Sequence, residues 1–203
     1  MKETGSARNG EQAITARDEY RLDESARTDA AQDSVLEHAA TGTNVAGLRT
    51  ALGSYATGVC IVTTTTAEGA PIGLTVNSFN SVSLEPPLVL FSLALRAMSL
   101  PIFQQAEHFA INLLSRKQTA LSQRFAKPLA DRWAGVAYQT GRDSGCPLLP
   151  DSLAVFECAR HAVHEGGDHI IIVGEVRRLH WTGNAEPLVY LRGQYGHFQP
   201  ESD

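Results

Sequence analysis

The sequence lacks several features that define large classes of proteins. No apolar run approaches the roughly 20 residues that a membrane-spanning helix needs, and the first residues, MKETGSARNGEQ, lack the apolar stretch of a secretory signal. The 17 Lys and Arg residues form no basic block, and the formal net charge is -5, which is unlike a protein that neutralises nucleic-acid phosphates. We therefore expect a cytoplasmic protein that binds neither membranes nor nucleic acids.

Cysteine is scarce, and the usual nucleotide-binding loops are missing. The three cysteines, Cys60, Cys146 and Cys158, form no CxxC pair and are odd in number, so we expect free thiols that serve as packing residues in a reducing compartment. No GxGxxG opens a helix and no GxxxxGK[ST] occurs, which argues against a Rossmann or Walker-type site. There is also no GxSxG nucleophile motif and no cysteine with an evident histidine partner.

The chain divides into a polar segment and a longer segment rich in apolar runs. Its 203 residues, 43% of them hydrophobic, suffice for one globular domain with a tail. Residues 1–44 contain few large apolar side chains, so they cannot offset the entropy of ordering and are predicted to form a disordered or loosely helical tail. A weak amphipathic pattern at residues 34–40 leaves a partner-binding role open. The folded domain is predicted to span residues 45–203.

Short strands outnumber helices in the predicted domain. Helices are predicted near residues 45–55, 98–105 and 118–126 from their apolar spacing and their flanking turn residues. The other apolar runs are β-branched or alternating, and turn residues separate them. This order predicts a mainly β protein of the α+β class, a barrel or a sandwich, rather than a doubly wound parallel sheet.

The segment GLTVNSFNSVS, residues 73–83, is the first candidate site. In an extended strand, Leu74, Val76 and Ser78 face one side and Thr75 and Asn77 the other, and Ser81 and Ser83 follow in parallel spacing. This arrangement would place neutral donors and acceptors along one edge. Such an edge suits a flat, uncharged heterocycle, and hydroxyl and backbone N–H groups can also hold a phosphate, to which Arg96 would add positive charge. The alternative is a polar solvent face before the prolines of EPP.

The pair Asp168 and His169 is the second candidate site. It follows the turn Gly166–Gly167 and comes directly before the apolar run IIIV at residues 170–173. A histidine at the mouth of a strand can project into a pocket, and it titrates near neutral pH. The alternative is a turn aspartate beside a surface histidine.

A metal site is the third candidate, because Cys158, His161, His164 and His169 lie close together in the sequence. In a strand, however, residues three apart point to opposite faces, so Cys158 and His161 would diverge. The spacing therefore does not favour a metal, and we predict none.

Several motifs in order resemble the short-chain flavin reductase family, the reductase components of two-component flavin-dependent monooxygenases. These motifs are YATGVCIVTT, GLTVNSFNSVSLEPPLVLFSL, FAINLLS, LSQRFA, GDHIIIVGEV and PLVYLRGQYGHF. The resemblance spans residues 45–198 and implies an FMN-binding split β-barrel of Greek-key topology with flanking helices, working as a homodimer. It implies hydride transfer from NADH or NADPH to FMN or FAD, with the reduced flavin passing to a partner monooxygenase. The rivals are an electron-carrying FMN protein on the same barrel and a relative of the pyridoxamine-phosphate oxidases.

The same resemblance assigns roles to individual residues. It places Thr75, Val76, Asn77 and Ser78 along the isoalloxazine ring and the ribityl chain of the flavin. It places Ser81, Val82, Ser83, Arg96 and Ser99 toward the phosphate. It places His169, beside Asp168, near the nicotinamide, and Tyr195 near the flavin ring. The resemblance does not fix the flavin, FMN or FAD, or the donor, NADH or NADPH.

Overall fold

Antiparallel strands dominate the computed structural model, which describes residues 45–129, 131–183 and 185–199. The helices are α1 (Val45–Gly53), α2 (Leu100–Gln105) and α3 (Thr119–Ala126), with a 3₁₀ turn at Arg116–Gln118 before α3. The strands are β1 (Thr57–Gly58), β2 (Cys60–Thr65), β3 (Pro71–Val76), β4 (Asn80–Leu84), β5 (Pro87–Ala94), β6 (His108–Leu113), β7 (Gln139–Thr140), β8 (Pro147–Leu148), β9 (Ala154–Gly166), β10 (His169–Trp181), β11 (Val189–Leu191) and β12 (Gln194–Gly196). The predicted mainly β class is confirmed. The predicted tail, residues 1–44, lies outside the described residues.

The main sheet has seven strands, in the order β3-β2-β6-β9-β10-β5-β4, and every neighbouring pair is antiparallel. Its two end strands, β3 and β4, are consecutive in the chain and are joined only by residues 77–79. Because so short a connection cannot span an open sheet, the sheet curls until its ends approach one another. β3 then lies beside β5 as well as beside β2.

Alternation along the strands fills the space inside the curled sheet. On β5, the side chains of Val89, Phe91 and Leu93 are buried, and the residues between them are only partly buried. The ring of Phe91 meets those of Phe103 and Phe109 edge to face, with centroids 5.9 and 5.3 Å apart. Helix α2 supplies Phe103, its buried residue, to this core.

A second apolar cluster joins α3 to a three-stranded sheet in the order β1-β11-β12. Its fully buried members are Val59, Ile61, Leu114, Phe125, Leu149 and Leu188. Phe125 of α3 lies directly against β3, because a Cβ on Gly73 would come within 2.8 Å of the Phe125 ring. The glycine thus allows the helix to approach β3 closely, which fixes the position of α3 beside the edge of the main sheet.

The apolar run after His169 lies in the middle of the main sheet, between β9 and β5. Ile170 and Ile172 are buried in the core, and Ile171 is half-buried on the opposite face. The three cysteines are free and buried, and burial raises the pKa of the Cys60 and Cys158 thiols to about 12 and that of Cys146 to about 11. They pack as predicted. Among the described residues, no helix is long and apolar enough to cross a membrane.

Candidate functional site

A pocket of about 250 Å³ opens where the edges of β3 and β5 face each other. It is lined by Leu74, Thr75, Val76, Asn77, Ser78, Ser92, Leu93, Ala94, Ala97 and His169. The two segments that the sequence singled out, residues 75–78 and His169, therefore line the same pocket. We call it the β3–β5 pocket.

The pocket exists because β5 is longer than its partner β4. Asn80 of β4 pairs with Leu90, so from Phe91 to Ala94 no strand is hydrogen-bonded to β5 on that side. The Ser78 hydroxyl takes the place of a strand there: it accepts a hydrogen bond from the Ser92 N–H at 2.9 Å and donates one to the Ser92 carbonyl at 3.1 Å. This side chain holds the turn after β3 against the open edge of β5.

Thr75 links the pocket to α3 and to the three-stranded sheet. Its hydroxyl donates to the Ser122 carbonyl at 2.7 Å, and the Ser122 hydroxyl lies 2.9 Å from the Tyr195 hydroxyl. Ser122 is fully buried. Tyr195 does not line the β3–β5 pocket and reaches it only through Ser122, while its ring lies against Tyr190 with centroids 5.3 Å apart.

At the other wall, Asp168 holds the ring of His169. The carboxylate Oδ1 of Asp168 lies 2.7 Å from Nδ1 of His169, and the Asp168 carbonyl accepts a hydrogen bond from the Leu95 N–H at 2.9 Å. The hydrogen bond and the charge of His169, with a smaller contribution from Arg96, lower the pKa of the Asp168 carboxyl. Because Nδ1 is occupied, Nε2 is the ring nitrogen that remains for a ligand.

The remaining predicted residues lie outside the pocket. The prediction of one continuous polar edge from residue 73 to residue 83 is wrong, because β3 ends at Val76 and β4 begins only at Asn80. Ser81, Val82 and Ser83 belong to β4, where a bulge separates Ser81 from Ser83. Arg96 lies in the turn between two residues that do line the pocket, Ala94 and Ala97. Ser99 precedes α2, and its hydroxyl makes no capping bond to the helix.

The pocket walls suit the edge of a flat, uncharged ring. Leu74, Val76 and Leu93 supply apolar surface, and the lining residues include no Asp, Glu, Lys or Arg. The volume lies below the roughly 300–1,000 Å³ of pockets that enclose a whole drug-sized ligand, so the pocket has room for only one part of a molecule of that size. The residues therefore fit the ring system of a flavin or of a nicotinamide.

A larger cavity, of about 740 Å³, lies elsewhere on the chain. It is lined by Ser115, Arg116, Lys117, Asp151, Thr182, Ala185 and Glu186, none of which the sequence predicted. Arg116 and Glu186 neutralise each other in an ion pair of 2.9 Å. We assign the site to the smaller β3–β5 pocket, since it alone of the two gathers the predicted residues.

Sequence reasoning missed the residues that support the site. Ser92 and Ser122 hold Ser78 and Thr75 in place, at separations of 14 and 47 residues along the chain. Ser92 and Ser122 make these bonds with their backbone atoms. Since every residue has the same backbone groups, no side-chain motif could have revealed the two positions. Only the fold brings these groups together.

Comparison with known proteins gives a consistent result. The sequence profile of the family described as flavin reductase like domain matches residues 52–199. The chain is 49% identical over 158 residues to the FMN reductase (NADH) SmoA of Agrobacterium fabrum, a match that covers 77% of this chain and 88% of SmoA. It is 38% identical to the flavin-dependent monooxygenase reductase subunit HsaB of Rhodococcus jostii, over 75% of this chain and 77% of HsaB. A probable flavin reductase of Rhizobium meliloti is 47% identical over 75% of this chain, which spans about half (48%) of that protein.

Solved structures show the same likeness. The NADH:FAD oxidoreductase SgcE6 of Streptomyces globisporus C-1027, solved in complex with NAD and FAD fragments, superposes on this chain with a TM-score of 0.74. The two sequences are 35% identical, and the match covers 78% of this chain and 94% of SgcE6.

Proposed function

Since the chain belongs to the flavin reductase like family and is an oxidoreductase, we propose that it reduces FMN or FAD with NADH or NADPH and supplies the reduced flavin to a separate monooxygenase. The observation that carries this proposal is the β3–β5 pocket, which unites residues 75–78 with His169. When bound, the cofactors supply the chemistry, a hydride passing from nicotinamide C4 to flavin N5. The protein needs no nucleophile for this reaction, in keeping with the lack of a nucleophile motif.

The task of the chain is to hold two rings in contact and to keep water away from them. Leu74, Val76 and Leu93 provide the apolar wall on which a ring rests. We assign Thr75, Val76, Asn77 and Ser78 to the flavin ring and the ribityl chain, with Tyr195 near the ring. We assign Ser81, Val82, Ser83, Arg96 and Ser99 to the phosphate side.

His169 is proposed to position the nicotinamide cofactor. Its Nδ1 is held by Asp168 at 2.7 Å, so the ring is fixed and Nε2 is available for the carboxamide or a phosphate of the cofactor. Asp168 is then a positioning residue, which orients the imidazole without touching the ligand. The names of SmoA, an FMN reductase (NADH), and SgcE6, an NADH:FAD oxidoreductase, favour NADH as the donor and leave both flavins open.

Two partners are proposed, a second copy of this chain and a monooxygenase. Large apolar side chains are exposed outside the pocket, among them Leu84, Met98 and Trp181, at 93, 73 and 75% exposure. Apolar surface of this kind favours a homodimer. The monooxygenase partner is inferred from HsaB, the reductase subunit of a flavin-dependent monooxygenase. The free, buried thiols suit the reducing cytoplasm.

A direct assay tests the activity. The purified protein is mixed with each of the four pairings of NADH or NADPH with FMN or FAD, and the loss of nicotinamide absorbance is followed. Saturable oxidation in at least one pairing, faster than without protein, is expected. No turnover in any pairing would contradict the proposal and favour an electron-carrying flavoprotein.

A further inference from the structure

The hydroxyl of Thr75 has no proton to offer a ligand in the β3–β5 pocket. It lies 2.7 Å from the Ser122 carbonyl, and a carbonyl can only accept a hydrogen bond, so the single hydroxyl proton points at Ser122. Thr75 therefore holds α3 to β3, and any bond from its hydroxyl to a ligand is one that it accepts.

The hydroxyl of Ser78 is engaged in both directions. Its proton goes to the Ser92 carbonyl at 3.1 Å, and it accepts the Ser92 N–H at 2.9 Å. Ser78 thus keeps β5 and the turn after β3 at a fixed distance. Ser78 therefore sets the distance between the two walls of the pocket and has no hydroxyl proton left for a ligand.

Asn77, between these residues, is differently placed. It lines the pocket and is exposed, and its carboxamide makes no hydrogen bond within the part of the chain that the structure describes. A carboxamide carries two N–H donors and one carbonyl acceptor in a plane. Of the other polar lining side chains, the hydroxyls of Thr75 and Ser78 are engaged with backbone, and His169 is held at Nδ1 by Asp168. Ser92 carries only a single hydroxyl, so Asn77 alone among the lining side chains presents donors and an acceptor in one plane.

We propose that Asn77 is the specificity-determining side chain of the pocket and that it binds a ligand edge in which an N–H donor adjoins a carbonyl acceptor. This inference rests on the proposed function. Two edges in the reaction have that chemistry, the imide of the flavin ring and the carboxamide of nicotinamide. A planar carboxamide pairs with either through two hydrogen bonds, one donated and one accepted.

Binding of modified ligands tests the proposal without relying on turnover. Dissociation constants are measured for FMN and N3-methyl-FMN by fluorescence quenching. They are also measured by calorimetry, with FMN present, for NAD⁺ and its 3-acetylpyridine analogue, which lacks the amide N–H. Each is measured for the wild type, Asn77→Ala, Asn77→Asp and the control Thr75→Val.

The flavin pair and the nicotinamide pair form the two arms of the experiment. In one arm, the wild type is expected to bind the natural ligand about tenfold more tightly than the analogue, because the analogue leaves one polar group unpaired. Asn77→Ala should bind natural ligand and analogue almost equally. Asn77→Asp, whose carboxylate accepts a bond from the ligand N–H but donates none, should keep a preference for the natural ligand while binding it more weakly than the wild type does. Thr75→Val, which alters only the wall, should weaken both ligands by the same factor and keep the preference. The arm that responds identifies the edge that Asn77 binds.

Two results would overturn the inference. One is a wild type without preference in either arm, and the other is an Asn77→Ala variant that keeps the wild-type preference. If the wild type still oxidises NADH with FMN, only the role of Asn77 is wrong. If it neither binds nor reduces a flavin, the proposed function is itself wrong.

Discussion

His169 offers the sharpest test at the scale of single residues. Its ring lines the β3–β5 pocket and is fixed by Asp168 at 2.7 Å, which leaves Nε2 for the nicotinamide contact that we propose. We expect His169→Ala to raise the Michaelis constant for NADH about tenfold or more, since one hydrogen bond to a charged or polar partner is lost. The dissociation constant for flavin, measured by fluorescence quenching, should change little.

His164 provides a matched control. It is an exposed histidine on β9, opposite Ile171 of β10, and it does not line the pocket. His164→Ala should leave both constants unchanged. An unaltered NADH dependence in His169→Ala would show that His169 takes no part in nicotinamide binding.

The residues that line the pocket were more predictable than the residues that support it. The pattern TVNS and the pair Asp168 and His169 stand out in the sequence because polar groups interrupt apolar strands. What they touch was not predictable, since the partners of Thr75 and Ser78 are backbone atoms far along the chain. The sequence therefore suggested hydroxyl donors facing a ligand, whereas these hydroxyls donate to the protein's own backbone.

At the scale of elements, Glu157 attaches the loop before β8 to β9. Its buried carboxylate accepts bonds from the Asp143 and Ser144 N–H groups at 3.1 and 3.0 Å and from the Ser144 hydroxyl at 2.8 Å, and it pairs with Nε2 of His180 at 2.9 Å. Burial alone raises the pKa of this carboxyl, but the bonds from His180, Ser144 and Asp143 outweigh burial and lower the pKa below 4.5.

The direction of this shift predicts how stability depends on pH. A carboxyl whose pKa is lowered in the folded state adds stability that is fully present above its ordinary pKa, 4.5, and is lost as the pH falls through the lower folded value. Glu157→Gln should lower the free energy of unfolding at pH 7 by about 2 kcal/mol. The free energy of unfolding of Glu157→Gln should also fall less than that of the wild type as the pH is lowered from 7 to 3, as measured by urea unfolding.

Glu165 on the same strand is exposed and serves as the control. Glu165→Gln should unfold like the wild type at pH 7. If Glu157→Gln retained the full stability and the full pH dependence of the wild type, the carboxylate would not be what holds the loop.

Gly174 of β10 tests the packing of the central strands. A Cβ at this position would lie 2.9 Å from the Cβ of Cys158 and would overlap the ring of Phe109. Gly174→Ala should therefore lower the free energy of unfolding by about 1–3 kcal/mol in urea titrations, the usual effect of overpacking a core. Gly58→Ala, with no atom within 4 Å of the added methyl group, should have little effect, and equal stability of the two variants would contradict this packing.

The predicted elements agree with the structure wherever periodicity is strong. The helix at residues 45–55 is present as α1, and the apolar run after His169 is the strand β10. The exception is the run from residue 73 to residue 83, which begins as an alternating strand but breaks into β3 and β4. The alternation of apolar and polar residues in one segment does not predict where a sheet curls, because the curling depends on strands elsewhere in the chain.

At the scale of the whole molecule, the proposed homodimer accounts for the exposed apolar side chains. Leu179 and Trp181, near the end of β10, are 56 and 75% exposed. A second copy would remove such surface from water, which stabilises association. Sedimentation equilibrium at micromolar concentration should give twice the mass of one chain, and a single-chain mass would contradict the proposal.

The central claim is that the β3–β5 pocket holds the reacting rings. A crystal structure of the protein with FMN and NAD⁺ tests it most directly. We predict electron density for the isoalloxazine ring against Leu74, Val76 and Asn77, with the nicotinamide near His169. Density for the flavin ring in the cavity lined by Arg116 and Glu186, with the β3–β5 pocket empty, would contradict the claim.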